Sequence, residues 1–144
     1  MLDLYKDVVR SFWKAAGLHD PVFRPDGSTR LQYDGVDLNF ALSENERDIT
    51  VSATAAYDLE GINCSPRELQ LILRLGLALL ATHCVLLSSS GNSLIVSGRC
   101  DLADGDVAEV IADVASAIKT LDRELETATV APSPFATDAF IQLL

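Results

Sequence analysis

Hydrophobic and polar positions divide the chain into eight short blocks. Tyr5, Val8, Val9, Phe12 and Ala16 recur at helical spacing, and Lys6, Arg10 and Lys14 form a second stripe four residues apart. The spacing predicts an amphipathic first helix that Gly17 stops. Trp13 falls just off the main apolar stripe. A loop punctuated by Pro and Gly, His19 to Ser28, comes next. Leu31 and Tyr33 then alternate with Arg30 and Gln32, and Val36, Leu38, Phe40 and Leu42 alternate with Asp37, Asn39 and Ala41. Asp34-Gly35 between them is a hairpin signal, because a type I′ turn needs positive φ at both central residues. Tyr33 is expected opposite Val36, and Leu31 opposite Leu38, on one face. Ser43 to Arg47 leads into a third strand, with Ile49, Val51, Ala53, Ala55 and Tyr57 alternating with Thr50, Ser52 and Thr54. This meander has one apolar and one polar face, as an antiparallel sheet covered on one side requires.

The second half is more apolar. Ser65-Pro66-Arg67-Glu68 reads as a capping box with Pro at the first helical position. The helix it opens runs to about Thr82, and Leu69, Leu71, Ile72, Leu73, Leu75, Leu77, Leu79 and Leu80 cover nearly its whole circumference. A helix that is apolar all round must be buried on more than one side. Val85-Leu86-Leu87 and Leu94-Ile95-Val96 flank a turn at Gly91-Asn92. Pairing Leu87 with Leu94 puts Val85, Leu87, Leu94 and Val96 on one face, and Leu86 and Ile95 on the other. Both faces are then apolar, and little chain remains to cover the second. The expectation is a homodimer, with Leu69, Leu73, Leu77, Leu80, Val85, Leu87, Leu94 and Val96 as interface residues. The final helix carries Val107, Val110, Ile111, Val114, Ile118, Leu121 and Leu125 on one stripe, with Asp106, Glu109, Asp113, Asp122 and Glu126 facing away. The last segment, Thr129 to Leu144, contains Pro132 and Pro134, then Phe135, Phe140, Ile141, Leu143 and Leu144, with no long period.

Composition narrows the function. The 144 residues suit one domain, and 11 Lys plus Arg against 21 Asp plus Glu give a formal net charge of −10. Asp101 to Ala128 holds 8 acidic and 2 basic residues, so −6 of that charge sits around the last helix. Nucleic acid is excluded as a partner, since phosphate contacts need a Lys/Arg footprint. A hydrophobic fraction of 49% excludes disorder. The stretch Leu75 to Leu87 is too short to span a bilayer and is interrupted by Gly76, Thr82 and His83. Met1 to Asp7 lacks the basic head and apolar run of a signal peptide. Cys64, Cys84 and Cys100 are odd in number and widely spaced, which suits reduced thiols in the cytoplasm.

The chemistry of catalysis has no candidate here. His19 reads as a solvated loop residue, and His83 as a helix C-terminal partner for the last carbonyls. The adjacent Cys84 does not make it a nucleophile–base pair, since such partners meet in space from different elements. Asp101, Asp104 and Asp106 lack the Gly and distal Glu of a calcium loop and read as caps of the last helix. Ser88 to Asn92 lacks the Lys and the following helix of a phosphate cradle. The expectation is a non-enzymatic chain with no cofactor and no metal.

Taken together, the amphipathic first helix, the Asp34-Gly35-Val36-Asp37-Leu38-Asn39-Phe40 hairpin, the Leu-rich helix from Arg67 to Leu80, the Val85 to Val96 hairpin and the acidic last helix resemble the class I type III secretion chaperones, the Tir-chaperone-like family of Gram-negative bacteria. The resemblance covers about residues 1–128 and leaves 129–144 as a tail, either loose or docked. It implies an α+β fold of order α-β-β-β-α-β-β-α, with an antiparallel twisted sheet packed on helices in a cytoplasmic homodimer. It also implies binding of the N-terminal segment of a secreted effector, held extended and soluble for export, with the export ATPase as a further partner. Carried over by position, the effector-binding candidates are Phe12, Trp13, Leu31, Tyr33, Val36, Leu38 and Phe40, with core placement the competing expectation for Leu38 and Phe40. A small-molecule-binding α+β domain, whose pocket His83, Cys84 and Cys100 would line, and a regulatory adaptor of similar fold are the alternatives.

Overall fold

In the computed structural model, the residues described are 2–58, 66–90, 93–103 and 105–130. The elements are α1 (Leu2–Ala15), β1 (Thr29–Tyr33), β2 (Val36–Leu42), β3 (Asp48–Asp58), α2 (Pro66–His83), β4 (Leu86–Ser90), β5 (Ser93–Asp101) and α3 (Val107–Val130). This is the α+β order the pattern predicts. The five strands form one antiparallel sheet in the order β1-β2-β3-β5-β4. Cys64, the expected cap Ser65, the expected Gly91-Asn92 turn, Asp104 and the segment from 131 onward lie outside the described residues.

Local chemistry sets the ends of the elements. Gly17 takes φ +74° after α1, while Gly17 N–H donates to the Lys14 carbonyl and Leu18 N–H to the Trp13 carbonyl. This double bond is the Schellman stop, which satisfies carbonyls that the helix end would otherwise strand. Asp34 and Gly35 both have positive φ, as a type I′ turn demands, and Tyr33 pairs with Val36 and Leu31 with Leu38. At the start of α3, the Asp106 carboxylate accepts from the Ala108 and Glu109 N–H groups, so Asp106 caps the helix as expected.

One face of the sheet carries the core. Leu38 and Phe40 of β2, Ile49, Val51, Ala53 and Ala55 of β3, and Leu94 and Val96 of β5 are buried, while the residues alternating with them are half-buried or exposed. α1 packs on β2: the Trp13 ring meets Phe40 edge-on at 5.1 Å, and the buried Tyr5 hydroxyl donates to the Phe40 carbonyl at 3.1 Å. α3 crosses β5 at Gly98, where an added Cβ would sit 3.0 Å from Val110 and 3.2 Å from Val114 side-chain atoms. A side chain there would make α3 give way by a few tenths of an ångström.

Two readings of the pattern need correction. The buried residues of α1 are Tyr5, Val9 and Trp13, so Trp13 belongs to the inward stripe and Ala16 lies exposed beyond the helix. A step of four residues keeps a helical face nearly in line, and the sheet selects the 5/9/13 row over the neighbouring 8/12 row. In the second hairpin, Leu87 pairs with Val96, two residues from the expected register. A shift of two leaves the faces unchanged, because side chains alternate with period two.

Candidate functional site

An uncovered apolar surface lies on α2 and β4. α2 buries Leu71, Leu75 and Leu79 against its own chain. Its opposite side projects Leu73 and Leu77, 70% and 69% exposed, flanked by the exposed Leu69 and Leu80. With Leu86 of β4, they border an apolar groove of about 610 Å³ whose base is Gly76 and Leu87. Each leucine left in water forgoes a transfer energy of roughly 1.5–3 kcal/mol. A contiguous row of this kind marks an interaction surface and is not ordinary scatter.

The interface candidates therefore divide. Leu69, Leu73, Leu77 and Leu80 are exposed, and Leu87 is half-buried. Val85, Leu94 and Val96 are at most 3% exposed in the single chain and have almost no surface left to give a partner. Leu86 belongs to the exposed face and is not among the interface residues named from the sequence. Its signal was its place on the second face of the hairpin.

The effector-binding candidates gather around α1 and the β1–β2 hairpin. Tyr33 is exposed, Phe12, Leu31 and Val36 are half-buried, and Trp13, Leu38 and Phe40 are core. The same end exposes Leu2, Leu4, Leu18 and Val22, which the pattern did not single out. Phe23 from the loop stacks edge-on with Tyr5 at 6.1 Å, and Lys6 and Arg10 lie over its ring at 5.4 and 5.3 Å. The basic stripe of α1 is thus held against an aromatic ring, a cation–π arrangement. Burial, assisted by the nearby Asp26 carboxylate, pushes the Tyr5 phenol up to about 12.

A third feature is polar. β2 and β3 pair from Asn39 opposite Ser52 to Leu42 opposite Ile49, and beyond Asn39 the ladder stops although both strands continue. A cleft of about 620 Å³ opens there, floored by Ile118 and Asp122 of α3 and edged by Asp37 and Thr54. The Asp122 carboxylate accepts from the Ala56 N–H at 2.9 Å, taking the place of a ladder bond. Desolvation raises the Asp122 carboxyl above its usual range, against the lowering effect of that hydrogen bond. Lys119 pairs with Asp34, tying α3 to the β1–β2 turn.

No reactive constellation appears among the described residues. No group of three His, Cys, Asp or Glu is placed to hold a metal. Cys84 is exposed and Cys100 buried, the latter's thiol raised by burial and then by Asp106, Asp101 and Asp48. A raised thiol is a poorer nucleophile at neutral pH. Among the described residues, no helix is long and apolar enough to cross a membrane.

No protein-family model matches the chain, and no curated protein matches it by sequence. Solved structures do match. The chaperone–effector complex of HopA1 and SchA aligns at a TM-score of 0.64 and 12% identity, over 85% of this chain and 93% of that one. The Yersinia pestis type III secretion chaperone SycH, solved with a stable fragment of YscM2, aligns at 0.59 and 16% identity, over 81% and 95%. An uncharacterized protein from Methanothermobacter thermautotrophicus aligns at 0.57 and 11% identity, over 84% and 95%. The arrangement of three helices on one face of a five-stranded antiparallel sheet is thus the fold of type III secretion chaperones.

Proposed function

We propose that this protein is a non-enzymatic chaperone that binds the N-terminal segment of a secreted effector as an extended chain and keeps it soluble and competent for export. The observation that carries this reading is the fold, shared over 85% of the chain with a structure solved as a chaperone–effector complex. The apolar residues around α1 and the β1–β2 hairpin support it, with Phe12, Leu31, Tyr33 and Val36 as the members that have surface to offer. Such a client contributes hydrophobic side chains to shallow pockets and main-chain hydrogen bonds to a sheet edge. A net charge of −10 keeps the loaded complex dispersed in the cytoplasm.

The working unit in this reading is a homodimer, with the α2–β4 leucine face of one copy against that of a second. An isologous pairing covers both rows at once. The test is affinity capture of the chain from its own cells under secretion-inducing conditions, followed by mapping of the bound region. The expected result is a secreted protein held through its N-terminal segment, lost in the Tyr33→Asp and Val36→Asp variants. Recovery of no secreted protein under those conditions overturns the reading.

A further inference from the structure

Gly76 meets no requirement of its own chain. It stands inside α2 and is not among the glycines with positive φ. A Cβ added there would touch only Leu87, at 3.5 Å, an ordinary van der Waals contact. Gly98 differs, since a Cβ there would crowd α3. Glycine is the poorest helix former after proline, so a residue with a side chain would suit the single helix better. What the missing side chain provides is a gap in the apolar groove of about 610 Å³ on the outer side of α2.

The same face carries what could fill such a gap. The α2 residues that line the groove are Leu69, Ile72, Leu73, Gly76, Leu77 and Leu80, three and four apart along one side of the helix. Turned end for end about a two-fold axis between positions 74 and 75, this set maps onto itself. Position 69 falls opposite 80, 72 opposite 77, and 73 opposite 76. The first two pairs set one large residue against another. The third sets Gly76 against Leu73, which at 70% is the most exposed leucine described. That pair also lies nearest the axis, where two crossing helices come closest and room is shortest. A protruding leucine and a gap to receive it, on one helix, are what an isologous contact requires.

Charge favours the same occupant. None of the described residues lining the groove is charged. Two chains that each carry −10 can therefore meet there without setting like charges face to face. We infer that, in the homodimer proposed above and resting on that reading, Gly76 is the socket for Leu73 of the partner subunit. The pairing fixes the register of the two α2 helices, because a slip along the axis would bring Leu73 against a leucine instead of the gap.

Sedimentation equilibrium on the full chain reads the dimer dissociation constant and tests the pairing. Gly76→Ala should weaken the dimer at least about tenfold, since overfilling a packed contact is unfavourable and each dimer holds the socket twice. Its circular dichroism should match the wild type, because the added Cβ has room in its own chain. Gly76→Leu should weaken the dimer at least about a hundredfold. Adding Leu73→Ala to Gly76→Leu moves the gap to the other member of the pair and should recover at least about tenfold. An unchanged dissociation constant in Gly76→Ala overturns the socket and leaves the homodimer standing. A double variant no tighter than Gly76→Leu alone overturns Leu73 as the occupant. A wild-type chain that sediments as a monomer at tens of micromolar overturns the homodimer and the pairing together. If Gly76→Ala keeps the dimer but loses a captured secreted protein, the groove belongs to that client, and the pairing is overturned.

Discussion

At the residue scale, Tyr5 shows how one side chain fastens an element. It lies fully buried between α1 and β2, and its hydroxyl spends its hydrogen bond on the Phe40 carbonyl. Tyr5→Phe keeps the ring and removes that hydrogen bond, so stability should drop by about 1 kcal/mol in a urea titration. The phenol also predicts alkaline behaviour. Its folded value is raised from 10.0 to about 12, so its contribution is complete below pH 10 and fades as the pH climbs through 12. Stability measured from pH 9 to 12 should decline more steeply in the wild type than in Tyr5→Phe. Asp122 is a contrasting case. Its carboxyl is raised by desolvation, so the charged form is the disfavoured one in the fold, and stability declines as the pH rises through its titration. Asp122→Asn keeps an acceptor for the Ala56 N–H without the charge, and should equal or exceed the wild type at pH 7, with the difference closing under acid conditions. Neither role was legible in the sequence. A tyrosine on an apolar stripe announces burial, but the carbonyl it meets lies 35 residues away.

At the scale of elements, α2 carries the most testable division. Leu75 is buried and Leu73 is 70% exposed, though they stand two residues apart in one run of leucines. Leu75→Ala should cost about 2–5 kcal/mol of unfolding free energy by emptying a core site. Leu73→Asp and Leu77→Asp should leave the single chain folded, by circular dichroism and thermal melting. In a dimer formed through this face, each would bury an unpaired charge, a penalty of about 3–5 kcal/mol, and light scattering should then report monomer. A dimer that survives both substitutions would place the interface elsewhere. The all-round apolar pattern correctly identified this helix as having more grease than one sheet can cover. It could not say which leucines face inward, because every position looks alike when none is polar. α1 was more legible because charges mark its outer side, and even there the choice between the 5/9/13 and 8/12 rows came from what β2 offers.

At the scale of the whole molecule, acid and grease occupy different places. From Asp101 to Ala128 the net charge is −6, while the exposed leucines lie on α2 and β4. A chain with that division stays dispersed through charge repulsion while keeping one adhesive face. Dynamic light scattering at rising salt should therefore show growing association as repulsion is screened, and Leu77→Asp should suppress it. A salt-independent particle size would contradict this account.

The sequence by itself determined the order and type of the elements, the Asp34-Gly35 turn and the cap at Asp106. All of these depend on neighbours within a few positions: φ at a turn, a side-chain oxygen at a helix start, alternation along a strand. The tertiary structure alone decided which apolar residues are core and which are surface, that Gly98 makes room for α3, and that β2 and β3 part beyond Asn39 to leave a cleft. Those outcomes depend on packing between segments far apart in the chain, where what a side chain meets is set by the partner and not by its own spacing.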